Sequence, residues 1–221
     1  MDRREALKRL ALLAGGALSM STIAGVLGGC RAGSAPGAYR PQTLASDQYD
    51  LVSTIAELII PETDTPGAKA AGVPEFIDRM LTDWMYAAER EHFLAELARV
   101  DGLARERLGR PFVRASETQQ VQLLQELEQE AKQTESRRVV IDRATGQIVD
   151  GPDTSAEDIA QGRPPRTLTV ELRPFFRMMK ELTIVGYYTS EVGATQELRL
   201  NLVPGRYDAC VPYAELGRAW A

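Results

Sequence analysis

Apolar residues in the first two thirds of the chain recur at the three-and-four spacing that gathers side chains on one face of a helix. Leu51, Val52, Ile55, Leu58 and Ile59 form the first such stripe; Ser46 sits where an N-cap is expected and Pro61 ends it. The second opens at Pro74, suited to the first helical turn, and carries Phe76, Ile77, Met80, Leu81 and Trp84. A third helix is predicted from about residue 87 to 108, with Phe93, Leu94, Leu97, Val100, Leu103, Ala104 and Leu108 inward. Ser116 and Gln119 have the spacing of a capping box. The helix they start runs to about residue 133, with Val121, Leu124 and Leu127 on one side and a Gln/Glu-rich solvated face on the other.

The pattern changes between residues 134 and 167. Val139-Val140-Ile141 and Gln147-Ile148-Val149 flank a turn ending in Gly146, which predicts a short β-hairpin. A polar, proline-containing stretch follows, so the whole segment reads as an excursion from a helical domain that packs on the helices or on a partner. Helical spacing returns from about Leu172 to Thr189. There Phe175, Phe176, Met179, Leu182, Thr183, Val185, Gly186 and Tyr187 leave apolar residues on more than one side. A helix apolar around much of its girth is either central to a core or covered by another chain. The tail beyond it holds Tyr207, Cys210 and Tyr213 with no clear period. The reading is a mainly α fold: one helical domain over residues 46–221, with a short hairpin insertion and an irregular tail.

The N-terminus has a different character. Arg3-Arg4 is followed by a nearly charge-free stretch from Leu10 to Gly29, ending in Leu27-Gly28-Gly29-Cys30. A basic start, an apolar middle and small residues at the end are the layout of an export signal. The arginine pair resembles a twin-arginine signal. The Leu-Gly-Gly-Cys ending resembles a lipoprotein cleavage site, with Cys30 becoming the lipidated first residue. Residues 1–29 are therefore read as signal, and 30–45, rich in Gly, Ser, Ala and Pro, as a flexible tether. This predicts a lipid-anchored periplasmic protein exported by the twin-arginine route.

Charge narrows the function. The chain has 26 basic and 31 acidic residues. Removing the first 29 takes away four basic and two acidic ones, leaving 22 and 29, a net charge of −7. That disfavours nucleic acid as a partner. Only two cysteines are present. With Cys30 lipidated, Cys210 is left to pair with another chain or to serve as a small buried thiol. His92 is the only histidine and lies on the third helix without a companion, as a packed or solvent-facing helical residue would. The loop 61–68 brings Glu62 and Asp64 together, but not in the spacing of a calcium loop. There is no dinucleotide fingerprint, no haem-attachment motif and no nucleophile elbow. The expectation is a chain with no catalytic, cofactor-binding or metal-binding residues of its own.

Four stretches carry a resemblance to a known family. They are Ile59-Ile60-Pro61-Glu62-Thr63-Asp64-Thr65-Pro66-Gly67-Ala68, Gly72-Val73-Pro74-Glu75-Phe76-Ile77-Asp78, Leu182-Thr183 through Gly193, and Pro204-Gly205-Arg206-Tyr207-Asp208-Ala209-Cys210. Together they resemble the small chain (subunit 3, or gamma) of membrane-bound gluconate 2-dehydrogenase and related bacterial sugar dehydrogenases. The resemblance implies a non-catalytic subunit. In that family a large flavoprotein of the glucose–methanol–choline type binds FAD and oxidises the substrate, and a multihaem cytochrome c often accepts the electrons. The small chain assists maturation of the flavoprotein and its passage through the twin-arginine translocon. On this reading Arg3 and Arg4 direct export, and Cys30 carries lipid. Phe175, Phe176, Met179, Tyr187, Tyr188, Tyr207 and Tyr213 dock the flavoprotein, with Cys210 available for a disulfide between subunits. The lipoprotein-type Cys30 is a departure, since it is not a general mark of the family. Two other readings stand beside this one: a stand-alone periplasmic lipoprotein with a structural or ligand-binding role, and an enzyme with a carboxylate site near Glu62 and Asp64.

Overall fold

The computed structural model describes residues 39–201 together with 203, 205, 210, 212, 214 and 217–219. These lie almost wholly in the second of the chain's two units, Pro41–Ala221. Arg3, Arg4, Cys30, Tyr207 and Tyr213 fall outside the described residues.

Each predicted stripe forms a helix. The first, α1, is Ser46–Ile59 and buries Leu51, Val52, Ile55 and Ala56. Ala45, not Ser46, is its N-cap, and the Ala45 N–H donates to Oε1 of Gln48 at 2.9 Å. Helix α2, Val73–Arg79, starts from Gly72, whose φ of 78° is easy for glycine alone. It continues directly into a π-helical turn, Met80–Trp84. Helix α3, Ala87–Leu108, buries Phe93, Leu97, Val100 and Ala104 and ends at Gly109 in the left-handed conformation. Phe112 sits in a single 3₁₀ turn, Phe112–Arg114, and is wholly buried. Helix α4, Glu117–Gln133, starts with the reciprocal cap expected of Ser116 and Gln119: the Gln119 N–H donates to Ser116 Oγ at 3.4 Å, and the Ser116 N–H to Gln119 Oε1 at 3.1 Å.

The excursion is built differently from the expected hairpin. Strand β1, Arg137–Asp142, pairs antiparallel with β2, Thr167–Leu172, in a register that sets Val139 opposite Val170. The nearby segment 147–149 adds only a bridge between Ile141 and Ile148 on the other edge of β1. A long connection thus returns to the strand that a tight hairpin would have paired. It contains a short helix, α5, Ser155–Ala160. The turn at Gly146 (φ 72°) abuts α3: its carbonyl accepts the Ala88 N–H at 2.9 Å, and a Cβ there would lie 2.7 Å from the Ala87 nitrogen. The excursion is therefore docked on the start of α3.

The final helix, α6, is Phe175–Tyr188, with Pro174 at its N-cap. Leu172, expected to open this helix, is the last residue of β2. Helices α1, α2, α3, α4 and α6 share one core, in which the Phe93 and Phe175 rings lie 5.5 Å apart. The fold is mainly α with one two-stranded sheet. No described helix is long and apolar enough to cross a membrane.

Candidate docking surface

Helix α6 carries most of the expected partner-facing residues, and its geometry divides them. Phe175, Met178, Met179, Leu182, Thr183, Gly186 and Tyr187 repeat every three or four positions and are buried. Phe175 and Tyr187 are each 2 % exposed and Met179 is 0 % exposed. These three side chains are spent on the chain's own core. Phe176 is half-buried; Ile184, Val185 and Tyr188 are exposed on the outer side. Thr183 satisfies its hydroxyl within the helix by donating to the Met179 carbonyl at 2.8 Å.

Gly186 explains how α6 comes so close to α2. A Cβ at that position would lie 2.7 Å from Cδ1 of Phe76, so a side chain there would force the helices apart. Beside this crossing, Phe76, Met80, Met85, Met178 and Val185 line a groove of about 350 Å³ whose rim also carries Glu89, Arg173 and Glu181. Trp84 stands at its edge, 77 % exposed. The stripe Ile77–Leu81 predicts Trp84 on the inner face, but the π turn adds a residue to that turn, marked by the Met85 N–H donating to the Met80 carbonyl at 2.9 Å. The face rotates, and Trp84 turns outward.

The loop 61–68 is a structural clamp. Both oxygens of Glu57 take backbone N–H donors, from Glu62 at 3.1 Å and Lys69 at 2.8 Å. Any Cβ on Gly67 would collide with the Glu57 carboxylate. The loop is tied to α6 by the Tyr187 hydroxyl, which donates to the Pro66 carbonyl at 3.0 Å. Thr65 Oγ1 lies 3.2 Å from that hydroxyl and donates to Glu197 at 3.2 Å. Glu62 and Asp64 are exposed. Among the described residues, no group of three or more His, Cys, Asp or Glu side chains is placed to hold a metal ion.

His92 is half-buried, and its Nε2–H donates to the Arg173 carbonyl at 2.9 Å, fastening α3 to the start of α6. It lines a cleft of about 380 Å³ with Glu96, Arg99, Glu130, Arg137 and Phe176. Arg99 is bonded to Glu96 and Glu130 there. Cys210 is exposed, which removes the buried-thiol alternative.

Two functional-looking features escape a reading by stripes. Asp78 is 0 % exposed and accepts three backbone N–H groups: Gln42 at 2.8 Å, Thr43 at 3.1 Å and Leu44 at 2.8 Å. It pins the last residues of the expected tether onto α2, so residues 42–44 belong to the folded domain. Asp158, whose side chain is 1 % exposed, organises the long connection. It accepts from the Arg166 N–H at 3.1 Å, from Thr154 Oγ1 at 3.1 Å and from Arg163 at 3.0 Å. The Arg166 N–H, with the Arg166 and Thr154 side chains, holds its carboxyl down at about 2. Asp153 is held at about 2 as well, chiefly by the Thr169 hydroxyl and then by Ser155. Neither acid has a signal in the sequence beyond an isolated carboxylate in a polar stretch.

Comparison with known proteins gives one match. The family model described as gluconate 2-dehydrogenase subunit 3 matches residues 46–205, from the first residue of α1 to beyond α6. No curated protein matches, and no solved structure matches.

Proposed function

The chain belongs to the gluconate 2-dehydrogenase subunit 3 family, and from that membership we propose that it is the non-catalytic small subunit of a periplasmic, FAD-dependent sugar or gluconate dehydrogenase complex. The family match over all the main helices carries this reading. The geometry supports it: Glu57, Asp78 and Asp158 are spent on holding backbone N–H groups, while apolar side chains stand exposed along the outer side of α6. The large subunit, of the glucose–methanol–choline type, holds FAD and oxidises the substrate, and its electrons pass to an acceptor such as a multihaem cytochrome c. This chain binds the large subunit, supports its maturation, and takes it through the twin-arginine translocon by the signal at Arg3 and Arg4. Cys30 is the lipidated membrane anchor.

Docking in this proposal uses Phe176 and Tyr188 on α6, with Tyr207, Tyr213 and Cys210 from the tail. Phe175, Met179 and Tyr187 act behind the surface by holding α6 rigid. A stable interface of this kind buries at least about 1,200 Å². In this proposal exposed Cys210 forms a disulfide with a cysteine of the large subunit in the oxidising periplasm. The test is export in the native host. Replacing Arg3 and Arg4 together by lysine is expected to leave both this chain and the flavoprotein in the cytoplasm. Normal export of the flavoprotein in that variant would defeat the carrier role.

A further inference from the structure

We propose that Trp84, with Met80 and Met85 behind it, is a membrane-interface contact that sets how the anchored domain sits on the bilayer. The proposal rests on the reading of Cys30 as the lipidated residue. Its first support is the chain's own leash. Cys30 to Pro41 is eleven residues, a reach of at most about 40 Å even when fully extended. A domain of this length has a diameter of roughly 40 Å. The leash therefore keeps the domain within about one domain diameter of the bilayer, and its point of attachment is the part it tethers most closely.

That attachment point is Asp78. Its carboxylate binds three successive backbone N–H groups at 42–44, so the leash ends on α2. Trp84 closes the π turn that continues α2, six residues further on, roughly 9 Å along a helix axis. The anchor's end and the exposed tryptophan thus share one continuous element.

The second support is that Trp84 is turned outward by a departure from regular helix. Continued α-helical spacing from Ile77 and Leu81 would bury it; the π turn at Met80–Trp84 exposes it instead. Exposing a large indole to water is costly, and a membrane–water boundary suits it: the ring enters the apolar side while its N–H keeps a polar partner.

The test uses the full mature chain with Trp220→Phe and Cys210→Ser, which leaves Trp84 the only tryptophan and Cys30 the only thiol. Cys30 is coupled to a maleimide-headgroup lipid in phosphatidylcholine–phosphatidylglycerol vesicles carrying brominated acyl chains. Trp84 emission is expected to move to shorter wavelength and to be quenched when tethered, and to do neither when the thiol is blocked with a small maleimide. Emission unchanged by tethering overturns the proposal. So does emission that shifts only after the large subunit is added, which would assign Trp84 to the protein partner. The underlying reading is checked separately by the mass of the N-terminal peptide from native membranes. An unacylated Cys30 sinks the anchor and this proposal with it; an acylated Cys30 with unresponsive Trp84 sinks this proposal alone.

Discussion

Asp78 shows how much one side chain can decide. A single carboxylate on α2 accepts three N–H groups that would otherwise be left without acceptors where the chain enters the domain. Asp78→Ala is expected to cost roughly 3 kcal/mol, because the penalty of unsatisfied buried donors exceeds the worth of a typical hydrogen bond. Urea unfolding measures it, and an unchanged midpoint would contradict the clamp. Gly186 is the second such residue. Gly186→Ala puts a methyl 2.7 Å from the Phe76 ring and is expected to cost about 1–3 kcal/mol, since α2 and α6 must part or the ring must move. The same denaturation measurement tests it; wild-type stability would mean that Phe76 yields freely. Neither role was legible in the sequence. Asp78 looks like any acid on a helix, and Gly186 looks like a weak point in one, because both act on segments distant in the chain.

At the scale of elements, the helices were legible and the strands only half so. Leu51–Ile55, Phe93–Leu97–Val100 and Leu124–Leu127 announce α1, α3 and α4 because a helix and its face are local properties. Strand pairing is not local. Val139–Ile141 was visible as a strand, but Leu168, Val170 and Leu172 were hidden in a polar stretch, and the nearer segment at Ile148 was the obvious partner. Trp84 departs from its stripe for a related reason: a π turn breaks the spacing on which the stripe depends. The excursion also makes a prediction about acid. Asp153 and Asp158 are held at about 2 in the fold, against an ordinary value of 3.8. A depressed folded value stabilises the fold above the unfolded value, and the stabilisation is lost as pH falls from about 4 through 2. The amide signals of Arg166 and Thr169 are expected to move in that window in NMR spectra while the ring signals of Phe93 and Phe175 persist. Loss of all of them together would show that the excursion has no separate acid response.

Over the described residues the molecule is a mainly helical domain with one two-stranded sheet. Family membership over residues 46–205 says what kind of complex this chain serves. The candidate surface was legible only in outline: α6 was recognisable as over-apolar, but which side of it faces outward depends on where α2, α3 and α4 pack. Phe175, Met179 and Tyr187 are core, while Ile184, Val185 and Tyr188 are exposed and Phe176 is half-buried. On this account Tyr188→Asp weakens association with the large subunit at least tenfold in a binding titration, the effect of a buried, unpaired charge, with the helical circular dichroism unchanged. Equal affinity would move the interface elsewhere. The central claim, that this chain is the small subunit of a flavoprotein dehydrogenase, is tested most directly by affinity purification of the tagged protein from native membranes, with an absorption spectrum of the eluate. The account predicts a yellow eluate with a flavin spectrum and a large co-purifying chain, joined to this one through Cys210 when reductant is left out. A colourless eluate holding this protein alone would contradict it and leave a stand-alone lipoprotein.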